Sequence, residues 1–452
     1  LGATLTWGGL IPNLLRRAGD GPSLLITALT AGVFYFSPWL VLTLAALAVL
    51  FVLIYAQPSI GLALVMFFTP YYLLPRPLFD RAFSMVEALS LLMLAAWATH
   101  IVAGRRERGW PSLRQLWAGM TALDKAVGLF VVVSVVSLSW ADLPGVAITD
   151  LRQMVLEPLV MYLVLRTMPL GERERWRIVD LLVLTGAVVA LVGFYQFATG
   201  SDMITAEAGM RRLRSVFGTP NNAALYLGRV IPIAAAVALM GGSARRRWLY
   251  GGAGILMTAA MGLTLSKGGL LLGLPAGLAM VVILWAGRAG LIAAATGAVL
   301  EALALIPLSR LPRFSGLIDF SSGTSTTFFR LQLWKSTLRM LRDHPITGVG
   351  LDQFLYKYRG RYILPSAWQQ PDLSQPHNFL LNYWVRLGLV GLAAGIWMQV
   401  AFWRLAWNTQ RHLRVVDPGT RALAAGLMGS MAAMIAHGMV DEVHFVIDLA
   451  YI

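Results

Sequence analysis

The residues best suited to chemistry stand at the head of one apolar stretch. His377-Asn378 opens the run HNFLLNYWVRLGLVG; nine residues separate the pair from Gly388, and Gly391 follows. The segment then stays apolar from Phe379 to about Trp403, long enough to cross a bilayer. On an ideal helix Gly388 would lie about 20° from His377 and roughly 16 Å along the axis. One face is therefore expected to carry an imidazole at the water boundary and small residues below it, where a neighbouring helix can approach closely. Imidazole titrates near neutral pH, which suits a general base. The plainer reading of the same residues is a capped helix with a packing groove.

A set of cations accompanies the histidine. Arg211, Arg212 and Arg214 precede FGTPNN, whose Asn221-Asn222 leads into an apolar span; Lys267 sits in a Ser-Lys-Gly-Gly turn; Arg330 opens an amphipathic pattern. Guanidinium forks bind phosphate oxygens bidentately, and a helix starting at Asn221 would add the positive end of its dipole. Gathered with His377 and Asn378 on one side of a bilayer, these groups suit a phosphorylated lipid headgroup. Taken singly, boundary Arg and Lys commonly snorkel to ordinary lipid phosphates. Charges also fall within apolar stretches: Glu87, Glu157, Glu301 and Arg386. Arg386 points about 180° from His377 on an ideal helix, so a structural pair with Glu157 or Glu301 is expected. Trp334, Tyr356, Tyr358, Tyr362 and Trp368 offer faces for sugar stacking, or anchors at the membrane interface.

The elements that must position these groups are membrane helices. Hydrophobic residues make up 57% of the 452 and charged residues 13%, about half the usual soluble share. The apolar runs are continuous rather than alternating, which excludes a β-barrel and implies an all-α, polytopic membrane protein. Candidate spans fall at about 22–37, 38–56, 58–75, 83–103, 124–141, 151–168, 177–198, 222–241, 249–265, 268–286, 289–307, 377–403 and 420–437, so about 12–14 helices. One of the first three is expected to be re-entrant, and the apolar tail after Asp441 reads as the start of a further span. The organisation is N-terminal helices at 1–198, central helices with a short arginine loop at 199–307, a large polar segment at 308–376 and C-terminal helices at 377–452. With these spans Arg16-Arg17, Arg105-Arg106-Arg108, Arg173 to Arg177, Arg245 to Arg247, Arg288 and the group Arg404, Arg411 and Arg414 fall on one side, which the positive-inside rule makes cytoplasmic. Arg76 and Arg81 are exceptions. The 308–376 segment then faces outward with nine Lys/Arg against Asp319, Asp343, Asp352 and Asp372. Its stretch FFRLQLWKSTLRMLRDHPITGVG is expected to form an amphipathic helix at the outer interface.

Some classes fall away. The chain has no cysteine, so thiol nucleophiles, thiolate metal sites and disulfides are excluded. No Walker motif and no outward His-x-x-x-His or Asp-x-Asp cluster is present, so neither a cofactor nor a metal is expected. The formal charge of +15 reports topology first, and no nucleic-acid partner is expected. Leu1 to Asp20 lacks a clean signal-peptide pattern, so the first helix is expected to act as the insertion signal.

The His377-Asn378…Gly388-x-x-Gly391 run resembles the signature of the bacterial O-antigen ligase family, within the O-antigen ligase/polymerase superfamily. RSVFGTPNNAALYL at 214–227, TLSKGG at 264–269, FRLQLWKSTLRMLRDHPITGVGLDQF at 329–354 and HGMVD at 437–441 agree in order. The resemblance implies a metal-independent, inverting glycosyltransferase of GT-C type in the bacterial inner membrane, embedded among membrane lipids. Its donor would be an undecaprenyl pyrophosphate-linked glycan at the periplasmic face, and its acceptor a hydroxyl of lipid A-core or another glycan. The family's critical residues map onto Arg214, Arg330 and His377, with Arg211, Arg212, Asn221, Lys267 and Asn378 as binding residues. His377 is then a general base, or orients the acceptor. Ligation, polymerisation of lipid-linked repeats and transfer to protein share this chemistry; a lipid-linked glycan flippase is the reading from another class.

Overall fold

The computed structural model describes residues 13, 17, 19–78, 81–108, 111–205, 209–317, 325–413, 417–445 and 450. Arg16, Asp319, Arg414 and nearly all of the apolar tail after Phe445 lie outside the described residues. The helices are α1 (Asp20–Phe36), α2 (Leu40–Ala56), α3 (Pro58–Phe68), α4 (Met85–Arg108), α5 (Leu113–Gly119), α6 (Ala122–Val136), α7 (Pro144–Leu151), α8 (Glu157–Thr167) and α9 (Glu172–Thr199). They continue as α10 (Pro220–Met240), α11 (Ala244–Leu263), α12 (Leu274–Ala286), α13 (Arg288–Leu308), α14 (Pro312–Ser315), α15 (Thr326–Asp343), α16 (Phe354–Lys357), α17 (Phe379–Leu413) and α18 (Pro418–Gly438). Sheet among the described residues is confined to two short antiparallel pairs, β1 (Arg76–Leu78) with β2 (Arg81–Phe83) and β3 (Ile204–Thr205) with β4 (Arg211–Arg212). The protein is an all-α, multi-pass membrane protein.

All thirteen stretches expected to span are largely helical. Seven are long and apolar enough to cross a bilayer by length and composition: Met85–Gly104, Ala122–Trp140, Glu172–Thr199, Pro220–Met240, Gly269–Ala286, Arg288–Leu308 and Phe379–His412. The others fall short for identifiable reasons. α1 and α2 have 17 residues each, α11 opens on Arg245 to Arg247, and α18 is rich in Gly and Ala, which add little hydropathy. α2 and the helix after it form a broken pair, bent by 119°. Pro58 is the cause: the residue before a proline is driven out of the helical region, and Gln57 is at φ −142°, ψ 87°.

The chain divides into two compact units, one chiefly Leu1–Gly119 and Leu156–Thr185, the other Met120–Val155 and Gly186–Ala450. In the first, α4 packs against α2, α3 and α8, and Arg177 Nη1 donates to Gln57 Oε1 (3.3 Å) and Ser59 Oγ (2.9 Å) at the break. In the second, α18 packs along α10 and α12. Small residues make that approach close: a Cβ at Gly429 would meet Val281 at 2.7 Å, and one at Gly277 would meet Ala433 at 2.9 Å.

α17 is interrupted. Gly388 has φ 70° and ψ −169°, a region essentially reserved for glycine. The loop at 346–350 fills the gap: Val349 N–H donates to Val385 O (2.7 Å), Gly350 N–H to Arg386 O (3.2 Å), and Leu389 N–H to Ile346 O (3.1 Å). A Cβ at Gly388 would lie 1.7 Å from Ile346 O. The glycine therefore admits a loop, where the periodicity implied a neighbouring helix. α15 is amphipathic as expected, burying Phe329, Leu333, Ser336, Met340 and Leu341. Its apolar stripe packs with Val349, Phe354, Tyr358, Tyr362 and Val385.

Candidate active site

The second unit gathers its polar side chains around one carboxylate, Asp441, just past the end of α18. Asp441 Oδ1 accepts from His377 Nδ1 (2.8 Å) and from the backbone N–H of Glu442 (2.9 Å). Its Oδ2 accepts from Asn221 Nδ2 (3.3 Å) and faces Arg330 Nη2 at 3.9 Å and His437 Nε2 at 4.0 Å. The carboxylate is nearly buried; His377 and Arg330 each keep about a quarter of their side-chain surface exposed, 25% apiece. Burial alone would raise the Asp441 carboxyl. The hydrogen bond from His377 and the charges of His377, His437 and Arg330 overcome it and hold the group well below the usual carboxylate range.

An ionised carboxylate only accepts, so the His377 nitrogen facing it must carry the proton. Nδ1–H is thus committed to Asp441, so in the neutral imidazole the lone pair falls on Nε2, which has no hydrogen-bond partner among the described residues. His377 lies one residue ahead of α17's Asn378 boundary at φ 48°, a left-handed conformation that costs a non-glycine residue roughly 1–2 kcal/mol. Its neighbours hold it there. Trp334 Nε1 donates to Pro376 O (2.9 Å), and Asn378 Nδ2 donates to Met439 O (3.0 Å) while its Oδ1 caps Leu381 N–H (3.0 Å).

Asn221 reaches the carboxylate from the first turn of α10, which Thr219 caps and Pro220 starts. Arg212, buried, fixes Asn221 by donating to its Oδ1 (3.0 Å) while its Nε holds Thr264 O (2.8 Å). Beside this cluster lies a cavity of about 730 Å³ between α13, α15 and the residues leading into α12. Leu271, Leu305 and Leu331 line its depth, Lys267 and Arg330 contribute cations, and Trp334 and Glu301 complete its wall. Lys267 Nζ donates to Thr326 Oγ1 (3.1 Å) at the start of α15. Burial draws the Arg330 guanidinium below its ordinary pKa, with Asp441 opposing. It is a partly buried cation in the wall of a largely apolar cavity. An amphiphile with a phosphorylated head fits such a cavity.

The expected residues thus separate. His377, Arg330, Asn221, Asn378 and Arg212 are joined through Asp441 or the segment that carries it, and Lys267 shares the cavity wall with Arg330. Arg214 instead holds Asp202, through its carbonyl (2.8 Å) and carboxylate (3.1 Å), and the carbonyl of Phe217 (3.3 Å). Arg211 is exposed on β4. Two expectations are corrected. Arg386 pairs with Asp150 (2.5 Å) and faces Asp352 (3.5 Å), not Glu157 or Glu301. Residues 142–150, between the expected spans 124–141 and 151–168, are not all loop: α7 (Pro144–Leu151) forms there and carries Asp150, which is buried; Glu301 lies on the cavity wall. Tyr358 and Tyr362 are buried in the core beneath α15 and offer no stacking face, while Tyr356 and Trp368 are exposed.

Sequence reading missed Asp441 and His437 as site members, although HGMVD had been singled out. An acid four residues past the end of an expected span carries no periodic signal; only its pairing across 64 residues reveals it. Among the described residues no group of three or more His, Asp or Glu is placed to hold a metal ion. Residues 252–396, about a third of the chain, match the family model described as O-antigen ligase. That stretch contains Lys267, Arg330, His377 and Arg386 and ends before Asp441. No curated protein matches the chain.

Proposed function

We propose that this chain, which through residues 252–396 belongs to the O-antigen ligase/polymerase family, transfers a glycan from undecaprenyl pyrophosphate to an acceptor hydroxyl at the outer face of the bacterial inner membrane. The observation that carries the reading is the His377–Asp441 pair set beside Arg330 in the wall of a largely apolar cavity. The prenyl chain occupies the cavity, and the pyrophosphate meets Arg330 and Lys267. Arg214, released from Asp202, and Arg211 supply outer cations. The acceptor oxygen attacks the anomeric carbon as its proton passes to His377 Nε2, and the bond to pyrophosphate breaks. Asp441 stabilises the imidazolium, and the guanidinium meets the charge growing on the leaving group, a role a metal plays elsewhere. A single displacement of this kind inverts the anomeric centre.

Ligation to lipid A-core is the preferred form. Polymerisation of lipid-linked repeats is the second, and it uses the same residues. Purified protein in lipid with an undecaprenyl-pyrophosphate-linked glycan, with and without lipid A-core, separates them. Glycan on lipid A-core with release of undecaprenyl pyrophosphate supports the ligase; longer glycans on the carrier without added acceptor support the polymerase. Movement of the donor between leaflets with no new glycosidic bond would replace both with a flippase.

A further inference from the structure

Asp441 has a neighbour whose role the transfer chemistry leaves unused. Glu442, buried, turns away from His377. Its Oε1 accepts from the backbone N–H groups of Val443 (2.9 Å), His444 (2.8 Å) and Phe445 (3.1 Å). Its Oε2 accepts from Asn382 Nδ2. Asn382 Oδ1 in turn accepts from Arg386 Nε (3.1 Å), four residues further along the same face of α17. The guanidinium ends on Asp150 (2.5 Å) and Asp352 (3.5 Å) and lies over the Phe445 ring at 4.6 Å. Side-chain exposure of 3% for Arg386 and 7% for Asp150 marks a buried ion pair, which is costly to desolvate and weak as a source of stability. Apolar residues of similar volume would pack there at least as well. Something other than stability is served by an arginine inside a span.

The geometry points to a positioning relay: Asp150, Arg386, Asn382 and Glu442 fix the backbone N–H of Glu442, and through it the Asp441 carboxylate that orients His377. This rests on the reading of His377 as the reacting imidazole. The Glu442 N–H and His377 Nδ1 share one oxygen of Asp441, so the turn's position sets which rotamer the carboxylate presents. Asp352, at φ 52°, belongs to the loop segment whose residues 349 and 350 also hold the broken end of α17. Docking of that loop is therefore read at the same guanidinium. None of the four side chains touches the cavity; each acts through its neighbour.

The test is ¹⁵N-histidine NMR of the full chain in lipid nanodiscs, paired with transfer kinetics. Six histidines are present, and the His377 signal is assigned from His377→Ala. In the wild type the shifts should report the Nδ1–H tautomer. Asn382→Ala, which cuts the relay at its middle, should shift His377 toward a mixture of tautomers. It should also lower kcat about 10- to 100-fold, the size expected when a reacting group is misplaced by about 1 Å, with donor KM little changed. In the His377→Ala background, Asn382→Ala should add nothing. Should Asn382→Ala fail to fold, Asp352→Ala removes only the acceptor of the 3.5 Å contact and carries the same test with a smaller shift. An unmoved His377 tautomer in folded variants, or losses that multiply in the double variant, overturns the relay. A wild type inert toward the donor strikes the transferase reading instead, because the nitrogen shifts report the relay without turnover.

Discussion

Replacing Asp441 by asparagine keeps the side-chain volume and removes the charge. In the wild type Oδ1 takes the Nδ1 proton of His377 at 2.8 Å, in a site where Asp441 is 7% exposed. A hydrogen bond to a charged partner there is worth about 1.5–3 kcal/mol. At about 1.4 kcal/mol per tenfold in rate, that is roughly 10- to 150-fold. The amide adds a second penalty, because its NH₂ can face Nδ1 and favour the tautomer that carries the proton on Nε2. Where a triad aspartate is replaced in this way the combined loss is about 10⁴. The expected fall in single-turnover transfer is therefore between about 10² and 10⁴. Donor affinity should hold or improve slightly, since Arg330 lies only 3.9 Å from Asp441 and loses a competing anion. The assay follows glycan transfer from labelled lipid-linked donor at saturation, beside equilibrium binding of undecaprenyl pyrophosphate. A folded Asp441→Asn protein turning over within threefold of wild type would show that Asp441 does not serve His377 in the transfer. So would a further loss of similar size when the change is made in His377→Ala, since groups that act as a unit are not additive.

Other expectations follow from the same geometry. Arg330→Ala should cost about 10² to 10³ in transfer, as loss of a leaving-group donor does, and Arg330→Lys should recover only part because the fork is lost; a full recovery would reduce Arg330 to a point charge. Gly388→Ala forces a Cβ to within 1.7 Å of Ile346 O at φ 70°, so the thermal midpoint should fall by the equivalent of at least about 1–3 kcal/mol; an unchanged midpoint would contradict the described break in α17. The Tyr362 hydroxyl donates to Asp343 (2.7 Å), and burial, then that bond, pushes the phenol up to about 12. A raised folded-state pKa stabilises at pH below the unfolded value of about 10, and the contribution disappears as pH climbs to about 12. The same bond, helped by Arg361, holds Asp343 below the usual carboxylate range, so its share is lost on the acid side, below about pH 4. Thermal unfolding of wild type and Tyr362→Phe should differ near neutrality and converge at both extremes; a constant gap across pH would contradict the pairing.

Local patterns in the sequence carried most of the helices. Apolar runs marked helical stretches, seven of them long enough to cross a bilayer, and the helical spacing within 328–350 marked α15 and its buried stripe. The chemistry was half legible. His377 stood out as an imidazole at the head of an apolar run, where a capped helix explains it equally well; Lys267 stood out in a turn between two apolar spans and Arg330 at the start of an amphipathic pattern. Asp441 did not, since its meaning lies in a partner 64 residues away. Arg386 and Asp150 are 236 residues apart, and no periodicity links them. Ideal helical spacing from His377 to Gly388 holds at neither end, because His377 is left-handed and the helix is broken open by a loop at Gly388.

The proposed transfer turns on His377 Nε2 taking the acceptor proton. Single-turnover glycan transfer by wild type and His377→Ala, at saturating donor and across pH, tests it most directly. The wild-type rate should rise with pH as the base loses its proton, and the variant should still bind donor, transfer about 10² to 10⁴ times more slowly and lose that pH dependence. Equal rates, or the same pH dependence in the variant, would rule out His377 as the base.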